Sequence, residues 1–114
     1  MRPIAANDLA PNVRSALDEL AAEVRARYPV TDLVLYGSYA RGTWDEASDV
    51  DLLLLTSRPL SRAERHGITD LAFDANLRNG TNFSTLVVDK ESWERGRFRS
   101  LPIRLEIQRE GIAL

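Results

Sequence analysis

Asp49 and Asp51 are one residue apart and stand ten residues after the pair Gly37-Ser38. If Asp49-Val50-Asp51 opens a strand, side chains at i and i+2 project from the same face. Their Cα atoms then lie roughly 6–7 Å apart, from about 3.3 Å of rise per residue. Two hard oxygen ligands on one side suit Mg²⁺, which takes one or two carboxylates together with substrate phosphates. Gly37 and Ser38 directly follow an apolar segment. A glycine lets the backbone approach a phosphate closely, and a serine hydroxyl with exposed N–H groups can cradle its oxygens. Arg41, on the same loop, offers a cation to clamp phosphate or close the turn. A phosphate cradle facing paired carboxylates is a layout for nucleotidyl or phosphoryl transfer.

Rigid elements must hold these residues, and the apolar pattern supplies them. Val13, Leu17, Leu20, Ala21 and Val24 recur at helical spacing between about Pro11 and Arg27, and Tyr28-Pro29 stops that helix. Asp32 to Tyr36 reads as a short buried strand ended by Gly37. The stretch from Ser38 to Ser48 is polar and irregular, with room for one helical turn. Val50 to Thr56 is a second strand, and its Leu52-Leu53-Leu54-Leu55 run predicts burial on both faces. Ser61-Arg62-Ala63-Glu64 has capping-box spacing, so a helix starts at Ser61 and runs to a stop at Asn79-Gly80. Asn82 to Val88 gives a third strand, Asp89 caps a short helix through Trp93, and Pro102 opens a last helix that Gly111 ends. Helices alternating with strands predict an α/β (α+β) fold, a small mixed sheet of three or more strands with helices packed against it.

Composition narrows the chemistry. The 114 residues fit one domain, 1–114, and 44% apolar content excludes disorder. With no Cys and one His, thiolate chemistry and a His-rich zinc site are excluded, so carboxylates must hold any metal. A net charge of −2 argues against nucleic acid as a direct partner. The longest apolar run, Leu52 to Leu55, is too short to span a bilayer, and the N-terminus lacks the apolar core of a signal peptide. The expectation is a soluble cytoplasmic protein with no membrane partner.

Gly37-Ser38-Tyr39-Ala40-Arg41-Gly42 and Ser48-Asp49-Val50-Asp51-Leu52 together resemble the signature of the DNA polymerase beta-like nucleotidyltransferase superfamily. The resemblance is strong from about Asp32 to Thr56 and looser elsewhere. The small size is similar to the minimal nucleotidyltransferases, many of which are antitoxins paired with a helical HEPN-type ribonuclease toxin. The resemblance implies a polymerase beta-like fold and transfer of a nucleoside monophosphate, AMP from ATP, to a hydroxyl of a protein or small acceptor. It implies that Asp49 and Asp51 are catalytic and hold Mg²⁺, and that Gly37, Ser38 and Arg41 bind the nucleotide. A chain this short leaves no room for an acceptor domain. The acceptor is therefore another protein or is bound across the subunit interface of a homo-oligomer.

The resemblance also implies a third carboxylate from a later strand. If strand three returns parallel to strand two, Asn82 and Ser84 occupy the matching positions, and neither is an acid. Asn82 is then the third-ligand position and offers a neutral carbonyl oxygen. That substitution supports an alternative function, a catalytically impaired nucleotide-binding or antitoxin module acting by contact with its partner. Trp44 either stacks on a nucleotide or a partner, or packs, and His66 reads as a surface or half-buried residue. Arg95, Arg97 and Arg99 read as a solvated connection pinned by Trp93 and Phe98, or as a contact for nucleic acid, a triphosphate tail or an acidic partner surface.

Overall fold

The computed structural model describes residues 2–3, 9–45 and 47–114. In chain order the elements are β1 (Arg2–Pro3), α1 (Pro11–Arg27), β2 (Val30–Tyr36), α2 (Ser38–Arg41), β3 (Val50–Thr56), α3 (Arg62–Asn79), β4 (Phe83–Asp89), α4 (Lys90–Glu94), α5 (Pro102–Glu110) and β5 (Ile112–Ala113). They form one five-stranded sheet in the order β1-β5-β2-β3-β4. The mixed sheet with packed helices agrees with the fold class expected from sequence. Two strands were not foreseen: β1 and β5 span two residues each, too short to carry any periodicity.

The helices form where the apolar stripes placed them. α1 starts on Pro11, a residue whose missing N–H costs nothing in the first turn, and it buries Val13, Ala16, Leu17, Leu20, Ala21 and Val24. α3 starts on a complete capping box. Ser61 accepts the Glu64 N–H and Glu64 accepts the Ser61 N–H. Gly80, at φ 65°, closes α3 in the left-handed conformation. The Asp89 carboxylate caps α4 by accepting the Ser92 N–H at 3.0 Å.

The four leucines of β3 explain why their run is unbroken. Leu52 and Leu54 enter a core with α1 and α3, while Leu53 and Leu55 enter a second core with Trp93 of α4 and Ile107 of α5. β3 is antiparallel to β2 and parallel to β4, so it sits inside the sheet with helices over both faces. Truncating any one of these leucines to Ala should cost about 2–5 kcal/mol.

Strand boundaries differ slightly from expectation. β2 begins at Val30, two residues before Asp32, across an irregularity in its pairing with β3. β4 begins at Phe83, so Asn82 lies just outside the strand. Asn76 of α3 fixes that start. Its side-chain amide donates to the Phe83 carbonyl at 3.2 Å and accepts the Phe83 N–H at 2.8 Å.

Candidate active site

Gly37 ends β2 and precedes α2 with φ 75° and ψ −154°, a backbone conformation that L side chains avoid. A Cβ at this position would also overlap the Asp51 Oδ2. Glycine is therefore required twice over, once by the turn and once by the carboxylate behind it. α2 is a single turn, closed by the Gly42 N–H on the Ser38 carbonyl and by the Arg41 N–H on the Gly37 carbonyl at 3.1 Å. Ser38 is half-buried at its start.

Asp51 is the second residue of β3 and lies between Tyr36 of β2 and Ser84 of β4 in the sheet register. Asp49 precedes the strand and is exposed. The N–H of the intervening Val50 donates to the Asn82 carbonyl at 2.9 Å, so Asn82 stands beside Asp49 as the parallel pairing predicts. Asn82 and Ser84, both neutral, therefore stand next to the two carboxylates in the sheet register. Among the described residues, no group of three or more His, Cys, Asp or Glu side chains could hold a metal ion.

The electrostatics of the pair are those of a site wanting a cation. Partial burial raises the Asp51 carboxyl above its ordinary range, and the charges of Asp49 and then Glu106 raise it further, while Arg41 opposes them. The Tyr36 hydroxyl is pushed up to about 12 by burial first, then by Asp51 and Glu106. Two carboxylates at the start of β3, Asp51 within the strand and solvent-open Asp49 just before it, repel one another and fit Mg²⁺, which completes its shell with waters and phosphates.

Arg41 follows the turn, and its charge acts on Asp51. Its Nη1 lies 3.2 Å from Glu106 Oε1 and 3.2 Å from Glu110 Oε2, tying α2 to α5. Glu106 and Glu110 went unnoticed in the sequence. Their i, i+4 spacing on a helix read for Ile103 and Ile107 was the available signal.

The loop from 42 to 48 is held by Asp45, whose carboxylate accepts the Ala47 N–H at 2.9 Å, while the Asp45 N–H donates to Ser48 Oγ at 3.0 Å. These bonds set the approach to Asp49. Trp44, in the same loop, stacks on Tyr39 with ring centroids 4.9 Å apart and an interplanar angle of 3°. His66 is exposed on α3. Trp93 is buried and packs near Phe98 at 6.1 Å, so the arginine-rich connection is pinned by its aromatics.

Comparison with known proteins gives the family and the fold. A Methanocaldococcus jannaschii protein named as a protein adenylyltransferase is 35% identical over 81 residues, 68% of this chain and 55% of its own length. This chain thus spans little more than half the length of that relative. The fold is similar to that of a mutant of the toxin–antitoxin MntA-HpeT, with a TM-score of 0.56 and 23% identity over 86% of this chain and 70% of that one. It is also similar to a toxin–antitoxin solved with AMP-PNP, with a TM-score of 0.58 and 20% identity over 91% of this chain and 72% of that one. A family model described as a nucleotidyltransferase domain matches residues 17–109, which include Gly37, Asp49 and Asp51, and the chain belongs to that family.

Proposed function

We propose that this protein transfers AMP from ATP to a hydroxyl group of a partner protein, with Asp49 and Asp51 holding Mg²⁺. One observation carries the reading: Gly37 backs so closely onto Asp51 that only a bare backbone fits between the turn and the carboxylate. Phosphates resting on Gly37 and Ser38 then lie within reach of the carboxylate pair. The relative named as a protein adenylyltransferase and the neighbour solved with AMP-PNP support the choice of adenylate and nucleotide.

In this reading the Gly37 backbone, the Ser38 hydroxyl and Arg41 bind and orient the triphosphate, and the ion pairs of Arg41 to Glu106 and Glu110 also tie the turn to α5. Bound Mg²⁺ would supply charge stabilisation for the leaving pyrophosphate. The acceptor oxygen bonds to the α-phosphorus, the bond to pyrophosphate breaks, and the hydroxyl proton passes to solvent. Asn82 and Ser84 contribute no charge to that step, so the transfer is slow. The partner is a HEPN-type toxin encountered in the cytoplasm, in keeping with the resemblance and the toxin–antitoxin neighbours. No helix among the described residues is long and apolar enough to cross a membrane.

The neutral residues at Asn82 and Ser84 favour a second reading, an antitoxin that neutralises its partner by contact alone. Transfer of label from α-labelled ATP to the toxin distinguishes the two. The expected result is labelled toxin, with the signal falling about 10³-fold in the Asp49→Ala, Asp51→Ala double variant, the equivalent of about 4 kcal/mol. Asn82→Asp should raise transfer several-fold, with Ser84→Asp as the control for register. No transfer by any variant, with tight toxin binding by all, would establish contact alone.

A further inference from the structure

Among the described residues, the large apolar side chains left exposed are Trp44, in the loop that leads to Asp49, and four others that fall into two pairs. Phe73 and Leu77 are 61% and 69% exposed on α3, and Leu101 and Leu105 are 40% and 55% exposed at the start of α5. Each pair is spaced i, i+4, so its two side chains stand on one side of their helix. The pairs lie on opposite sides of the molecule. α3 packs with Leu52 and Leu54 on one face of the sheet, and α5 packs with Leu53 and Leu55 on the other.

The charges around the two pairs are opposite in sign. On α3, Asp70 and Asp74 join Phe73 and Leu77 at i, i+3, i+4 and i+7, a single stripe facing away from the buried Ile68, Ala72 and Ala75. Both acids are exposed, and neither is in an ion pair among the described residues. The cations that flank them are committed elsewhere, Arg65 to the Val87 carbonyl and Arg78 to Glu19. From 95 to 105, by contrast, the chain carries four arginines and no acid. Arg95, Arg97 and Arg99 are exposed, and none is in an ion pair among the described residues. Their connection is ordered. The Phe98 N–H donates to the Ser92 carbonyl at 3.2 Å, and the Leu101 N–H donates to the Phe98 carbonyl at 3.1 Å. A backbone already held in this way has little freedom left to lose when its charges meet a partner.

We propose that copies of this chain associate head to tail, the acidic face of α3 at 70–77 in one copy seating on the basic face at 95–105 of the next. Apolar side chains then meet at the centre and opposite charges meet around them, the arrangement of a specific interface. Two like faces cannot pair, because each would set its own sign of charge against itself. A contact between unlike faces leaves one face free at each end, so assembly continues into a closed ring or a filament. A second copy fits the arginine face better than nucleic acid does, since phosphates gain nothing from Leu101 and Leu105. The contact uses none of the residues assigned to the nucleotide site.

Two charge reversals test it by sedimentation velocity, Asp70→Arg with Asp74→Arg, and Arg95→Glu with Arg97→Glu and Arg99→Glu. Wild type should self-associate with a Kd of about 10–100 µM, and more weakly in about 0.5 M salt. Each reversed variant alone should stay monomeric to concentrations about tenfold higher, because both of its faces then carry the same sign. An equimolar mixture of the two should associate as wild type does, each supplying the sign that the other lost. Phe73→Ala, which changes no charge, should weaken association at every salt concentration. ATP affinity in the presence of Mg²⁺ should be the same in all of them. A wild type that is monomeric at about 1 mM would overturn the proposal, and an oligonucleotide bound by that monomer but not by the arginine variant would give the basic face to nucleic acid. A complex that stops at two copies and survives either reversal would also overturn it, as would folded reversed variants that fail to rescue one another.

Discussion

Two carboxylates in this protein are perturbed in opposite directions, and the fold treats them oppositely. Glu64, at the start of α3, receives Arg58 Nη1 at 3.0 Å, Arg58 Nη2 at 2.8 Å and the Ser61 N–H at 2.9 Å. Those bonds, Arg58 first, hold its carboxyl down to about 2. Asp51 is instead pushed up by burial, Asp49 and Glu106. The Arg41 cation opposes that rise only in part while ion-paired to Glu106 and Glu110. The charge of Glu64 at the helix cap is met by hydrogen bonds within the protein, whereas the carboxyl of Asp51 at the strand end is raised by burial and by neighbouring acids.

Gly37→Ala should break the contrast most severely. The added methyl meets both the positive φ and the Asp51 carboxylate, costing about 1–3 kcal/mol and lowering the melting temperature by on the order of 10 °C. Because the overlap displaces Asp51, calorimetry should also find Mg²⁺-ATP binding lost, even at temperatures where the variant is fully folded. Binding at wild-type strength would mean the turn and the carboxylate act separately.

Ser61→Ala probes the other pole. Loss of a cap of this type costs about 1 kcal/mol, or on the order of 5 °C in melting temperature. Nucleotide binding and transfer should be unchanged, since α3 caps far from the turn in sequence and contributes no carboxylate to it. A parallel fall in affinity would show that the two regions are coupled.

The smallest effect sharpens the comparison by its sign. The folded state holds the Asp51 proton more tightly than the unfolded chain, whose value is near 3.8. Its ionisation therefore opposes folding, beginning as pH rises past that value and complete above the raised folded value. Asp51→Asn should raise the melting temperature at neutral pH in metal-free buffer by ~2–4 °C, a size discounted for its exposure to solvent. Glu64 slopes the other way. Its contribution is full above its ordinary 4.5 and is lost as pH falls toward about 2. A melting temperature lowered by Asp51→Asn would place Asp51 with Glu64, among the acids the fold has neutralised.

Much of this was legible in the residues because the causes are local. The capping box is four consecutive residues, and the Leu52-Leu53-Leu54-Leu55 run announces a strand covered on both sides. The Gly37-Ser38 and Asp49-Val50-Asp51 spacing carries its own chemistry, and parallel pairing correctly set Asn82 beside Asp49. What escaped notice depends on contacts across the chain. Arg41 meets acids 65 and 69 residues away, a meeting that requires knowing how α5 crosses the sheet. The Tyr39–Trp44 stack joins a helical turn to an irregular loop, where neither helical nor strand periodicity applies. β5 pairs with β2 through two residues, a commitment only the finished sheet can make.

The doubly covered β3 has a consequence for motion. Its Leu52, Leu53 and Leu54 are fully buried, and its backbone is paired along both edges, so its amides should exchange with solvent only through global opening. Asp51 rides on that strand, and Asp49 is one residue from it. The carboxylate of Asp51 is therefore carried by the most firmly held strand of the sheet, and exchange at the Asp51 amide should be as slow as at its leucine neighbours.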